Sequence, residues 1–309
     1  MKSIIDCYSK VNKDCFKFIK SQETSKEKFK NKERMIKSFL IPVSFWIAAK
    51  VKNKRPFIVG LGGGQGTGKT TMTTIISIVL KKYFKFIVFK ISIDDFYKTR
   101  KERLSLSKKI HPSLMTRGVP GTHDINLMLN FFKKVKNNKF RTLKLPKFNK
   151  AIDDRCKKKL WYLIKKKPDV IIFEGWCVGA KAEKNNTLKK TINSLERKCD
   201  KKMIWRKYVN QQLKSKYKKL FNQLSCLLFL KANNFSLLQR WRLKQEKKLW
   251  LKNKKSSNNK IMNKKEIINF MQTYQRITQN MLKNAPKYAS IILNLNSNHQ
   301  IKSLVYKKK

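Results

Sequence analysis

The sequence predicts an α/β fold: one doubly wound, mostly parallel sheet flanked by helices. Three observations predict it. Five short apolar runs, Phe57–Leu61, Phe86–Ile93, Asp169–Phe173, Cys226–Leu230 and Ala289–Leu295, are continuous rather than alternating, as strands buried on both faces are. Segments of helical length separate them, so strand and helix alternate. Three of the runs also end in chemically capable residues, namely a glycine-rich loop, Asp94-Asp95 and Glu174-Gly175. Open α/β sheets bind their ligands beyond the carboxyl ends of the strands.

The elements follow in order. Residues 1–50 read as a helical, Lys-rich N-terminal extension, and residues 51–309 as the α/β domain. The apolar stretch Phe39–Ala49 is too short to span a bilayer and is expected as a buried helix packed beside that domain. Pro56 opens the first strand, and Thr70–Phe84 has helical length after the glycines. A helix through Gln239–Trp250 follows the fourth run, and the fifth is expected to close the chain. The polar stretches Lys181–Lys190 and Asn253–Lys265 read as mobile loops. Trp176, Trp241 and Trp250 are expected in the core or on pocket walls.

A net charge of +57 raises nucleic-acid and anionic-membrane binding as functions. Lys outnumbers Arg throughout, however, and no segment concentrates the charge into a tail or stripe. A basic face interleaved with aromatics or Arg forks is lacking. The excess therefore reads as compositional drift, with no specific nucleic acid and no membrane as partners. Six scattered cysteines form no CxxC and indicate neither a zinc site nor a disulfide framework, which fits a reducing cytoplasm. The start, MKSIIDCYSK, does not read as a signal peptide.

The residues Gly63, Gly64, Gln65, Gly66, Thr67, Gly68, Lys69 and Thr70 match the phosphate-binding pattern G-x-x-x-x-G-K-S/T between a strand and a helix. Glycines let such a loop turn its N–H groups inward onto phosphate oxygens. The following helix adds its positive N-terminal end. Lys69 is placed for the β- and γ-phosphates, the Thr70 hydroxyl for Mg²⁺, and Thr71 completes the nucleotide-binding set. ATP and Mg²⁺ are the implied cofactors, on a P-loop NTPase fold.

Phosphoryl transfer to an alcohol benefits from a carboxylate that takes the hydroxyl proton. Asp94 is the candidate base. Glu174 is the candidate acid on the metal side. Asp95 is read as a bystander, because neighbours at a strand end face opposite sides.

Further along come HPSLMTRGVPGTHD (111–124), LPKFNKAIDDR (145–155), FEGWCVGA (173–180), WRKYVN (205–210) and LQRWRLKQE (238–246). In this order they resemble the D-glycerate 3-kinase-like branch of P-loop kinases, related to uridine kinase, phosphoribulokinase and pantothenate kinase. The resemblance covers roughly residues 45–295. It implies that Asp94 is the hydroxyl-activating base and Glu174 the acid after the third core strand. It also implies that Arg240 and Arg242 belong to a basic helical lid over the transferring phosphoryl group. Arg117, His123 and Asp124 fall where the group places acceptor contacts. Lys147, Asp154 and Arg155 belong to a block expected at the same pocket. An Arg fork suits a carboxylate, and His or Asp suits hydroxyls.

The expectation is an ATP-dependent kinase acting on a hydroxyl of a small hydroxy acid, D-glycerate foremost. A sibling kinase for pantothenate or a nucleoside, and a nucleic-acid-stimulated ATPase, stand as alternatives.

Overall fold

The computed structural model describes residues 2–24, 27–51, 55–137, 139–252 and 263–307, with 249–252 as backbone alone. The chain opens with α1 (Lys2–Gln22), α2 (Lys32–Arg34) and α3 (Ile41–Val51), the last two joined by a wider helical turn, Met35–Leu40. Then come β1 (Phe57–Gly63), α4 (Lys69–Lys82), β2 (Val88–Ser92), α5 (Arg100–Lys109) and α6 (Ile125–Lys136). Four short strands follow: β3 (Leu143–Leu145), β4 (Phe148–Asn149), β5 (Asp154–Arg155) and β6 (Tyr162–Ile164). The remainder is β7 (Val170–Gly175), α7 (Ser194–Cys199), α8 (Ile204–Gln212), α9 (Lys218–Phe221), β8 (Cys226–Lys231), α10 (Phe235–Lys252), α11 (Lys264–Asn284), β9 (Ile291–Leu295) and β10 (Ile301–Tyr306).

The main sheet has the order β10-β9-β8-β1-β7-β2. All five expected runs form its parallel part. The chain does not close on the fifth. β10 turns back antiparallel to β9 as an edge strand. Its IKSLVY is partly exposed and interrupted by polar residues, so it lacks the continuous apolar signature of a doubly covered strand.

Successive residues of β1 serve opposite faces of the sheet. Val59 and Leu61 join Val170 and Ile172 in one core, and Ile58 joins Ile171 and Phe173 in the other. The first core is covered by α3, α4 and α1. Helix α1 contributes Cys7, Val11, Cys15 and Ile19, one residue per helical turn. The expected buried helix at Phe39–Ala49 is there, with Ile41, Val43 and Ile47 fully buried. Residues of 2–51 thus share one apolar core with β1 and α4. Two links tie α10 to the same N-terminal segment, Lys244 to Glu27 at 3.3 Å and the Lys248 ammonium to the Gln22 carbonyl.

One loop expectation changes. Lys181–Lys190 is pinned, not free. Asn210 exchanges two hydrogen bonds with the Glu183 backbone, Arg276 donates to the Thr187 and Lys190 carbonyls, and Leu188 is buried. Its polar backbone is satisfied by side chains far away in sequence, which composition cannot reveal. Of Asn253–Lys265, residues 253–262 lie outside the described residues. Asn263 caps α11 in a reciprocal arrangement with Glu266. Among the described residues no helix is long and apolar enough to cross a membrane.

Candidate active site

The glycine loop follows the end of β1 and runs into α4, whose N-cap is Gly68. Gly66 and Gly68 have φ of +79° and +84°, a region that side chains strongly disfavour. A Cβ on Gly66 would stand 3.1 Å from Trp241 Cβ and 3.2 Å from Arg242 N, so α10 also closes on the loop there. The Thr67 hydroxyl donates to the Gly64 carbonyl at 2.9 Å. The Lys69 ammonium donates to the carbonyls of Gly63 at 2.8 Å and Gly64 at 3.0 Å. Burial pulls the Lys69 ammonium below its ordinary range, and Glu174 and Asp94 oppose that pull. Thr70 is exposed at the start of α4, with Thr71 half-buried beside it.

A cavity of about 1280 Å³ opens on one side of this loop. Its walls are the loop itself from Gly66 to Met72, the α10 face bearing Trp241, the turn Asn296–Gln300 and the N-terminal segment around Phe29–Met35. Trp241, expected on a pocket wall, is one here, and its indole stacks on His299 at 4.3 Å between centroids. The side chain of Trp250 lies outside the described residues.

The carboxylates stand on the strands beside the loop. Leu61, Glu174 and Ser92 lie level in register across β1, β7 and β2. Burial raises the Glu174 carboxyl, while Lys69 and the Ser92 hydroxyl pull it back. Asp94 and Asp95 sit on a tight 3-10 turn, Ile93–Phe96, not on extended strand. The expectation that they face opposite sides therefore fails, because a 3-10 turn rotates successive side chains by a third of a turn. Asp95 is largely buried, and burial followed by the Asp94 charge pushes its carboxyl up to about 6. Asp94 accepts from the Tyr97 hydroxyl at 2.9 Å and from the Lys150 ammonium at 2.7 Å. Burial would raise its carboxyl, but the Lys150 charge and hydrogen bond prevail and hold it below its ordinary value.

The six residues expected to contact the acceptor are placed as follows. His123 is 1% exposed. Its Nδ1 lies 2.6 Å from the Tyr217 hydroxyl, and its ring stacks on Tyr97 at 4.5 Å. Its Nε2 is buried without a partner among the described residues, and burial lowers its value to about 4. Asp124 caps α6 by accepting from Leu127 N at 3.0 Å, and it pairs with Arg155. Arg155 also donates to the Tyr97 carbonyl through two nitrogens. Arg117 pairs with Asp153 and lies over the Phe148 ring. Asp154 caps α5 by accepting from Arg100 N at 2.9 Å. Lys147 sits over the Tyr162 ring at 5.3 Å. The segment 122–124 pairs with 96–98 through backbone hydrogen bonds, so His123, Asp124 and Arg155 gather around the Tyr97 that holds Asp94. Lys147 and Asp154 serve the hairpin and α5 instead. On α10, Arg240 is exposed and Arg242 pairs with Glu246 at 2.7 Å.

Sequence reading missed Tyr97, Lys150, Arg103 and Tyr217. Tyr97 stands three residues after Asp94, the i+3 spacing that a tight turn brings together. Lys150 carried no signal among so many lysines. Arg103 is fully buried and donates to the carbonyls of Lys98, Met115 and Asp153. Cys177 is buried and its thiol is pushed far up by burial, which suits a structural rather than a nucleophilic role.

A glycine cradle, a lysine folded onto the loop's own carbonyls, a helix N-terminus and a donor pair of one hydroxyl (Thr70) and one carboxylate (Glu174) fit a magnesium-bound triphosphate. Together they define a P-loop kinase. No family model matches the chain. It is 30% identical over 228 residues to an uncharacterized kinase of Schizosaccharomyces pombe, mug58, covering 71% of this chain and 79% of that one. It is 27% identical over 227 residues to the chloroplastic D-glycerate 3-kinase of Arabidopsis thaliana, covering 67% of this chain and 47%, about half, of that relative's length. A solved D-glycerate 3-kinase from Cryptococcus neoformans has the same fold, with a TM-score of 0.72 at 23% identity over 88% of this chain and 99% of that one. The chain belongs to the D-glycerate 3-kinase-like family of P-loop kinases.

Proposed function

We propose that the protein transfers the γ-phosphoryl group of ATP to a hydroxyl of a small hydroxy acid, D-glycerate before others. One observation carries this reading. Asp94 stands at the end of β2, held by Tyr97 and Lys150, with Glu174 on the strand between it and the glycine loop. That is where a base must sit to take a proton from an alcohol facing a γ-phosphate.

The loop N–H groups from Gly63 to Thr71 and the Lys69 ammonium would bind the phosphates. Thr70 and Glu174 would hold Mg²⁺, which supplies charge neutralisation when bound. Asp94 accepts the hydroxyl proton, and Tyr97 keeps its carboxylate oriented. Arg240 and Arg242 would close over the phosphates from α10, Arg242 exchanging its bond to Glu246. Arg117, His123, Asp124, Lys147, Asp154 and Arg155 would shape the acceptor side, through the hydrogen bonds and ion pairs described above. Support for glycerate comes from the D-glycerate 3-kinase among the relatives and from the cationic surroundings of Asp94. The six free cysteines suit a reducing compartment, and the cytoplasm is the proposed location.

A pantothenate kinase of Streptococcus suis is 29% identical over 130 residues, so pantothenate is the second acceptor to weigh. The test is a coupled ADP-release assay over D-glycerate, pantothenate, uridine and ribulose 5-phosphate. D-Glycerate should give the highest kcat/KM. No release above background with any of the four would sink the kinase reading. Turnover that instead rises with added RNA at physiological salt would favour a polynucleotide-stimulated ATPase.

A further inference from the structure

We infer that Lys150 determines acceptor specificity: its ammonium leaves Asp94 for the carboxylate of the incoming hydroxy acid, and so frees the base in the act of binding. The inference rests on the hydroxy-acid reading above and names how that same site would select its substrate.

Three features carry it. The first is an exposed side chain on an anchored hairpin. Lys150 sits at the tip between β4 and β5, and its side chain is 62% exposed where its partner Asp94 is 28% exposed. The backbone beneath is anchored. Asp153, in a left-handed conformation at φ +54°, is held by Arg117 and by the fully buried Arg103. Arg103 also binds the carbonyls of Lys98 and Met115, which ties the tip to the segments just before and after α5. A fixed root with an exposed four-carbon stem can change partner without moving the loop.

The second feature is the engagement of the neighbouring arginines. Arg117 and Arg155 were the residues expected to fork onto an acceptor carboxylate. Arg117 is paired with Asp153, and Arg155 with Asp124 and the Tyr97 carbonyl. Withdrawing Arg117 would leave Asp153 to Arg103 alone, and withdrawing Arg155 would take the donor from Asp124 Oδ2 and the Tyr97 carbonyl. Lys150 is the cation that already touches the base.

The third is chemical. A carboxylate bonded to an ammonium is a weakened proton acceptor. An acceptor carrying its own carboxylate offers Lys150 a second anion, one short carbon chain from the reacting hydroxyl. Once Lys150 has changed partner, Asp94 Oδ2 faces that hydroxyl. The alcohol O–H bond then breaks, its proton passing to Asp94, as the new O–P bond forms. The bond between the γ-phosphorus and the bridging oxygen breaks with ADP as the leaving group. Lys150 remains protonated throughout and only exchanges partners. A neutral alcohol would leave Lys150 on Asp94 and react slowly.

The test compares wild type, Lys150→Met and Lys150→Arg with D-glycerate and with glycerol, which keeps the carbon skeleton and lacks the carboxylate. In Lys150→Met, kcat/KM for glycerate should fall about 100-fold, the scale of a lost charge-assisted hydrogen bond to an acceptor. The loss should be largely in the glycerate KM, with the ATP KM unchanged and glycerol turnover kept or raised, because Asp94 is then free without a carboxylate to draw Lys150 away. Lys150→Arg should recover part of the glycerate activity. Equal losses on both acceptors, or a loss lodged in the ATP KM, would overturn the inference. Wild-type preference for glycerate that survives in Lys150→Met would overturn it too, while leaving the hydroxy-acid reading intact. A wild type with no preference for a carboxylate acceptor would remove both.

Discussion

The two sides of the site are built by different means. The nucleotide side is local: nine consecutive residues, Gly63–Thr71, supply the cradle, and it works mostly through backbone N–H groups and glycine conformations. The acceptor side is assembled from afar. Asp94 and Tyr97 share one tight turn, while His123, Lys150 and Tyr217 come from three further segments, and all meet through side chains. A local backbone device is sensitive to shape at single positions. A long-range side-chain device is sensitive to removal of any member, and its parts fail separately from nucleotide binding.

The sharpest break between the two sides is expected at Asp94. Asp94→Asn should lower kcat by roughly 10³-fold, within the range for a positioned base, and leave ATP affinity as it was. Steady-state ADP release with titration calorimetry of the nucleotide checks it. Equal losses in both would take Asp94 out of the base role.

Arg103 comes next. Arg103→Met takes the donor from three part-buried carbonyls and loosens Asp153, at about 3 kcal/mol of stability. Urea unfolding should show that loss, and the acceptor KM should rise with nucleotide affinity kept. On the nucleotide side, Gly66→Ala forces a side chain into a left-handed conformation against Trp241 and Arg242. It should weaken ATP binding by about 30-fold, the equivalent of about 2 kcal/mol of strain. An acceptor-site variant giving the same pattern would dissolve the distinction.

The smallest effect is a pH dependence at His123. Its folded value is near 4 against an ordinary 6.5. The unfolded chain therefore takes up a proton that the folded chain refuses. The stability His123 contributes is full above about 6.5 and is lost as pH falls towards 4. His123→Gln should cost less at pH 5 than at pH 7.5, measured as the difference in Tm from wild type.

This division also explains what was legible in the sequence. The five parallel strands and the glycine loop announce themselves because continuous apolar runs and a fixed spacing are local facts. Asp94 and Glu174 were found from their positions at strand ends. Lys150 and Arg103 were invisible, because their partners lie 56 and 50 residues away and nothing marks them among so many bases. His123, Asp124 and Arg155 were singled out by resemblance. The reasons their side chains are engaged, a Tyr97 ring and an α6 cap, appear only once segment 122–124 pairs with 96–98. β10 escaped because edge strands dilute their apolar content.

The cavity beside the glycine loop takes one wall from Phe29–Met35 and another from Asn296–Gln300. On the ribosome the first wall is made long before the last. A nucleotide therefore meets the finished pocket only after the Asn296–Gln300 wall has been made. Any release before the final strands would yield a protein with its glycine loop present and its pocket open on one side. Nucleotide-induced thermal stabilisation would then serve as a proofreading assay, reporting that the Phe29–Met35 and Asn296–Gln300 walls are both in place.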